Sequence, residues 1–288
     1  MANDGVCILE AIILVIVLVP LSTINAHPLK GCGFDQIYNL GDSISDTGNL
    51  VLESPYGAAT FGKLPYGMNF INNRPTDCKE KLKTALVLVG EIGGNDYNYA
   101  FFEGRTPDEI NSLVPEVVNT IKNAIKRVIS FGAKHIIVPG NFPIGCIPIY
   151  LTGFQTNNSA AYDKHNCLSN LNSFAQNYHN QQLKEAIKEL KRENPDVKIV
   201  YGDYYKAFHF LLHVASRFGF EMQKACCGTG GDYNFNATRL CGFPGVPVCS
   251  NPERYISWDG IHLTQNAYKI MSNWLIKRFV HQLGCFHH

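Results

Sequence analysis

Residues 37–49 read IYNLGDSISDTGN, an apolar run that stops against a Gly-Asp-Ser turn. A short apolar run closed by turn chemistry is the pattern of a buried strand. Where such a strand belongs to an open parallel sheet, the turn after its carboxyl end is where ligands bind. The first run spans 36–40, and three more repeat the pattern at 85–91, 134–140 and 197–203. Their shortness and β-branched content read as parallel strands buried on both faces.

Helical patterns fill the intervals. Thr106-Pro107-Asp108-Glu109 supplies a capping Thr, Pro at the first helical position and Glu at the third, so a helix begins there. Pro115 is expected to break or kink it, and a second segment then runs to Gly132, which suits a left-handed C-terminal cap. Leu168, Leu171, Phe174, Tyr178, Leu183, Ile187 and Leu190 recur near helical spacing, and Asn194-Pro195 closes that helix ahead of the fourth strand. Thr264 caps a final helix with Tyr268, Met271, Trp274, Leu275 and Phe279 on one stripe. The alternation predicts one α/β domain over 27–288 with a parallel sheet covered on both faces. The stretch 219–258, rich in Gly, Pro and Cys, reads as irregular and stapled.

A length of 288 residues with 45% hydrophobic content is enough for a large core. Lys plus Arg numbers 25 against 24 for Asp plus Glu, so no field of one sign draws nucleic acid or an anionic membrane. The apolar stretch 11–21 closes on small and polar residues before Ala26 and reads as a secretory leader over 1–26. It is shorter than the roughly 20 apolar residues of a spanning helix, so no stable membrane anchor is expected.

Ten cysteines fit an oxidising compartment, extracellular or vacuolar. Leader removal takes Cys7 and leaves an odd number, so at least one thiol stays unpaired within a monomer. Cys226, Cys227, Cys241 and Cys249 admit a zinc reading, but without a C-x-x-C pair disulfides are favoured. The sequons at Asn157 and Asn236 are expected to carry glycans on surface loops.

Four residues gather chemistry. Ser43 follows the first strand, and Asn95, in GEIGGNDYNYA, follows the second at the same sheet edge. Asp259 and His262, in YISWDGIHLT, sit just before the last helix. A serine hydroxyl is a weak nucleophile, so acyl transfer requires a base against it and donors for the developing oxyanion. His262 suits the base and Asp259 the group that orients it. The Ser43 N–H and the Asn95 amide suit the oxyanion.

Each also has a plainer role, as an N-cap, a turn or a loop residue; only their joint occurrence favours catalysis. CCGTGGDYN follows no strand and lacks a phosphate-binding Lys. His135, His165, His179, His209 and His213 show no joint metal spacing. No cofactor or metal is called for.

GDSISDTGN, GGNDY and DGIH resemble the first, third and fifth sequence blocks of the GDSL esterases and lipases, the SGNH hydrolases. VGEIGGNDYNYAFF, VPGNFPIGC, ACCGTGGDYNFN and WDGIHLT are similar to the plant branch, and within it to the acetylajmalan esterase and sinapine esterase group. The resemblance implies a three-layer, flavodoxin-like sandwich with strand order 2-1-3-4-5. It implies an enzyme acting on a small-molecule carboxylic ester, and the leader makes it a secreted one. Ser43 would be nucleophile, Asn95 an oxyanion donor, Asp259 the orienting acid and His262 the base.

One departure stands out. The family's second block, with a Gly that completes the oxyanion hole and an accompanying strand and helix, is missing. PYGMNFINNRPT resembles the usual lead-in up to Thr76, yet Asp77-Cys78-Lys79 continues at once into EKLKTALVLVGE. The sheet should therefore lack an edge strand, leave the first strand as a bare edge, and carry an impaired site. Two other readings stand beside the esterase: a truncated splice form or pseudoenzyme that binds ligand, and an acyltransferase using the same acyl-enzyme. The particular ester and the oligomeric state are not legible.

Overall fold

The computed structural model describes residues 15–16, 29, 31–45 and 78–285. Its first strand, β1 (Val15–Ile16), is a two-residue piece lying antiparallel to β2 (Ile37–Leu40). From β2 the sheet continues in parallel through β3 (Leu86–Val89), β4 (His135–Pro139) and β5 (Lys198–Gly202), in that spatial order. Ile37 pairs with Leu86, Leu86 with His135, and His135 with Lys198, so the four strands start in line. The turns at their carboxyl ends consequently share one edge. Among the described residues, β2 to β5 stand in the order implied by the resemblance, with no parallel strand outside β2.

The outer edge of β2, expected to be bare, is paired with β1, a piece of the segment read as a leader. An unpaired strand edge presents open backbone donors and acceptors, and an apolar stretch of the same chain satisfies two positions of it. Residues 1–14 and 17–28, and the gap expected near 76–77, lie outside the described residues.

Alternation along the strands sends side chains to two cores. Val87 and Val89 of β3 join a cluster with Ile136, Val138 and Ile199. Against that face pack α2 (Gly94–Phe102), α3 (Pro107–Ser130) and α6 (Asn180–Glu193), through Tyr97, Ile121 and Leu183 among others. Leu86, Ile137 and Val200 face the other way, toward α7 (Tyr204–Phe218) and α8 (Gln265–Gln282), where Phe208, Leu211, Met271 and Leu275 are buried. Three layers result. A short α1 (Cys78–Thr84) leads into β3.

The α3 capping box forms as expected, with Glu109 N–H donating to Thr106 Oγ1 and Thr106 N–H to Glu109 Oε2 at 2.8 Å. Gly132 follows the helix at φ 103°, in the left-handed cap conformation. Of the break or kink expected at Pro115, the break does not occur, and one helix runs through it. An internal proline costs about 3 kcal/mol or more. Ile110, Val114, Val117, Val118 and Ile121 are buried on its sheet-facing side, each contributing about 1.5–3 kcal/mol, so tertiary burial outweighs the local penalty.

The helix expected across 168–193 contains a π-helical turn, Ala175–His179, between α5 (Ser169–Phe174) and α6. Thr264 caps α8 by accepting the Ala267 N–H at 3.2 Å. The 219–258 stretch is not wholly irregular, because β6 (Glu221–Ala225) pairs in parallel with β7 (Tyr255–Ser257). Those short strands were hidden by surrounding Gly and Pro.

Cys226–Cys249 and Cys227–Cys241 are disulfides, which rules out zinc at those four sulfurs. Cys146–Cys167 and Cys32–Cys285 are also disulfides, making four among the described residues; the Cys7 and Cys78 side chains lie outside them. Asn157 is exposed and Asn236 half-buried, with Asn236 Oδ1 accepting the Thr238 N–H at 2.8 Å. No helix among the described residues is long and apolar enough to cross a membrane.

Candidate active site

The turn after β2 is built by Asp42. Its Oδ1 accepts the Ile44 N–H at 3.0 Å, its carbonyl accepts the Ser45 N–H at 3.0 Å, and its own N–H donates to the Glu91 carbonyl at 3.1 Å. Gly41 is required by close approach. A Cβ there would stand 2.5 Å from Ser45 Oγ and 2.8 Å from the Gly90 carbonyl carbon and oxygen. This packing leaves Ser43 exposed, with its hydroxyl off the backbone. The capping work that Ser43 would do as an ordinary turn residue falls to Asp42.

Across the edge, the loop between β7 and α8 is held closed by Trp258 N–H donating to the His262 carbonyl at 2.8 Å and by Gly260 N–H donating to Ser257 Oγ at 3.0 Å. Gly260, at φ 94°, packs on Phe235 so closely that a Cβ would lie 2.2 Å from its Cδ2. Asp259 is buried and does two jobs. Its Oδ1 accepts the Ile261 and His262 N–H groups at 2.9 and 2.7 Å, while Oδ2 meets His262 Nδ1 at 2.8 Å. The other ring nitrogen, Nε2, lies 2.8 Å from Ser43 Oγ. Ser43, His262 and Asp259 thus form one hydrogen-bonded row, joining residues 219 positions apart.

The electrostatics follow from that row. Burial by itself would raise the Asp259 carboxyl, but the facing His262 and its donated hydrogen bonds hold it at about 2. His262 is pulled down by burial and up by Asp259, with Asp42 adding to the rise, and the net effect is upward. Asp42 itself is raised, chiefly by burial.

Asn95 stands in the first turn of α2, at the end of the neighbouring strand β3. Asn98 Nδ2 donates to Asn95 Oδ1 at 3.3 Å, and Tyr150 Oη–H donates to Asn98 Oδ1. With its oxygen engaged, Asn95 has its amide N–H₂ left to donate. Asn98 and Tyr150 were missed in the sequence, although Asn95 and Asn98 at i,i+3 on a helix are the spacing at which side chains meet. Asn141, at the end of β4, was also missed; Asn180 clamps it, with Oδ1 accepting the Asn141 N–H at 2.6 Å and Nδ2 donating to its carbonyl at 3.0 Å.

A cleft of about 320 Å³ opens between α2 and α3, lined by Ile92 and Asp96 on either side of Asn95 in sequence and by Tyr99, Leu113 and Val117. No group of three or more His, Cys, Asp or Glu suited to a metal ion occurs among the described residues.

A parallel sheet between two helical layers, in this strand order, has the three-layer fold of the SGNH hydrolases. The chain belongs to the GDSL-like Lipase/Acylhydrolase family, whose profile matches residues 67–275. It is 44% identical to the GDSL esterase/lipase At5g03980 of Arabidopsis thaliana over 306 positions, covering 90% of this chain and 93% of that protein. It is 47% identical to GDSL esterase/lipase At1g31550 and 44% identical to GDSL esterase/lipase At1g28580 of the same plant, each over 70% of this chain. The chain spans about half the length of those two relatives, 52% of each. An alignment of 306 positions exceeds the 288 residues here, so At5g03980 carries residues with no counterpart in this chain.

Proposed function

We propose that the chain is a secreted carboxylic ester hydrolase working through a Ser43 acyl-enzyme. The observation that carries this reading is the row from Ser43 Oγ through His262 to Asp259, with both contacts at 2.8 Å. Ser43 Oγ attacks the ester carbonyl carbon while His262 Nε2 takes its proton, and buried Asp259 stabilises the imidazolium. The Ser43 N–H and the Asn95 amide donate to the oxyanion. Collapse of the tetrahedral species expels the alcohol, protonated by His262. A water, deprotonated by His262, then releases the acid and regenerates Ser43. The four disulfides among the described residues accord with maturation in the secretory pathway.

A second reading, an attenuated splice form of the same enzyme, is favoured by the relative's extra residues in the alignment. The missing block would have supplied an oxyanion donor, and losing one costs about 2.7–4 kcal/mol, or about 10²- to 10³-fold in rate. Hydrolysis of short-chain nitrophenyl esters by the purified secreted form, compared with Ser43→Ala, tests the esterase reading. Turnover that survives in Ser43→Ala would refute it.

A further inference from the structure

Glu91 is 3% exposed, and three strand ends meet on it. Its carbonyl accepts the Asp42 N–H from the end of β2 at 3.1 Å. The Phe142 N–H from the end of β4 donates to Asn141 Oδ1 at 3.0 Å and also acts on the Glu91 carboxyl. Its Oε1 lies beside Gly94, the first residue of α2. A Cβ on that glycine would sit 3.6 Å from Glu91 Oε1, 3.9 Å from Asp42 Oδ2 and 4.0 Å from Asn141 Oδ1. Two carboxyl groups and an amide thus converge on the residue before Asn95. Glu91 Oε2 and Asn141 Nδ2 are buried without a hydrogen-bond partner among the described residues. An isolated buried carboxylate is so costly that the group takes up a proton instead.

Resting on the reading of Ser43 as nucleophile, we propose that Glu91 is a positioning residue: its side chain, a neutral carboxylic acid packed with Asp42 and Asn141 around Gly94, holds the Asp42–Ser43 turn, the Asn95 helix start and the Asn141–Phe142 turn as one block, beside the backbone bond from Asp42 that any residue at 91 would keep. The groups facing it agree with the neutral form. Its charged form would interact electrostatically with Asp42, in the turn after β2, Tyr150 of α4 (Pro148–Gly153), Tyr201 of β5, Tyr204 of α7 and Tyr268 of α8. They are one carboxyl and four phenols. Burial pushes the Glu91 carboxyl well above the ordinary range, Asp42 adds to the rise, and the Phe142 N–H opposes it. A neutral Glu91 places no second negative charge next to Asp42, so His262 answers to Asp259 and Asp42 alone. An ionised one would push the two turns apart.

Two measurements on the full chain test this. The first is thermal unfolding of wild type and Glu91→Gln across pH. A carboxyl neutral when folded but ionising near its ordinary pKa of about 4.3 when unfolded loses stability as pH rises above that value. Gln, isosteric with the neutral acid, does not, so the Tm advantage of Glu91→Gln over wild type should widen from about pH 4 toward neutrality. A pH-independent difference overturns the neutral state.

The second is the rate of labelling of Ser43 by a fluorophosphonate. Glu91→Gln should label within about threefold of wild type, and Glu91→Ala about 10²-fold more slowly, the cost of a misplaced reacting group. Equal rates in all three proteins, or a Gln variant as slow as the Ala variant, overturn the positioning role. An unlabelled wild type that keeps the pH-dependent Tm gap would refute the nucleophile instead and reduce Glu91 to a structural acid, which also overturns the role proposed.

Discussion

Replacing Asp259 with Asn changes little in shape and much in protonation. The amide oxygen of the new side chain could still accept the Ile261 and His262 N–H groups that Asp259 receives at 2.9 and 2.7 Å, so the loop should persist. The atom 2.8 Å from His262 Nδ1 would then be a donor in place of an acceptor. Nδ1 must accept, which moves the proton to Nε2 and aims it at Ser43 Oγ, where a base is required. The imidazolium also loses its counter-charge. A wrong tautomer of this kind costs about 10⁴-fold in kcat, or about 5.4 kcal/mol at 1.36 kcal/mol per decade.

The pH profile gives a second reading of the same change. His262 must be neutral to act as a base, and its pKa is raised by Asp259. Wild-type kcat/KM should therefore fall as pH drops through a midpoint above the ordinary His value of about 6.5, and in Asp259→Asn that midpoint should move down. Steady-state kinetics on nitrophenyl acetate over pH, with circular dichroism to confirm folding, measures both effects. A variant within tenfold of wild type, with an unmoved acid limb, would refute the assigned role.

Gly41→Ala would drive a methyl into Ser45 Oγ and the Gly90 carbonyl; it should cost about 1–3 kcal/mol as an overpacked site, and an unchanged denaturant midpoint would contradict the close approach. Cys32→Ser opens a disulfide spanning 253 positions and should lower stability by about 2–5 kcal/mol, whereas equal unfolding midpoints would show that this staple adds nothing. Inserting the family's second block after Thr76 should raise ester turnover at least about 10²-fold, and equal turnover would mean that another backbone N–H already serves the oxyanion.

What the sequence made legible follows the physics of each feature. Four apolar runs became β2 to β5 because fully buried parallel strands show as short continuous hydrophobic stretches. Ser43, Asp259 and His262 were singled out because acyl transfer would require those side-chain types at strand ends, and the fold places the three in one hydrogen-bonded row. Continuity of α3 through Pro115 was not readable, since it depends on what the helix packs against. Nor was the β6–β7 pair, whose short strands lie among Gly, Pro and Cys. Asp42, Asn98, Asn141 and Glu91 act through partners on other elements, and no local pattern announces such partnerships.

The central claim is that Ser43 is the nucleophile activated by His262. Its most direct test is a mass-spectrometric map of the purified chain after reaction with a fluorophosphonate, run alongside His262→Ala. A single phosphonyl adduct on Ser43, formed at least about 10³-fold more slowly in His262→Ala, is the result expected. An adduct on another residue, or labelling of Ser43 at the same rate without His262, would contradict it.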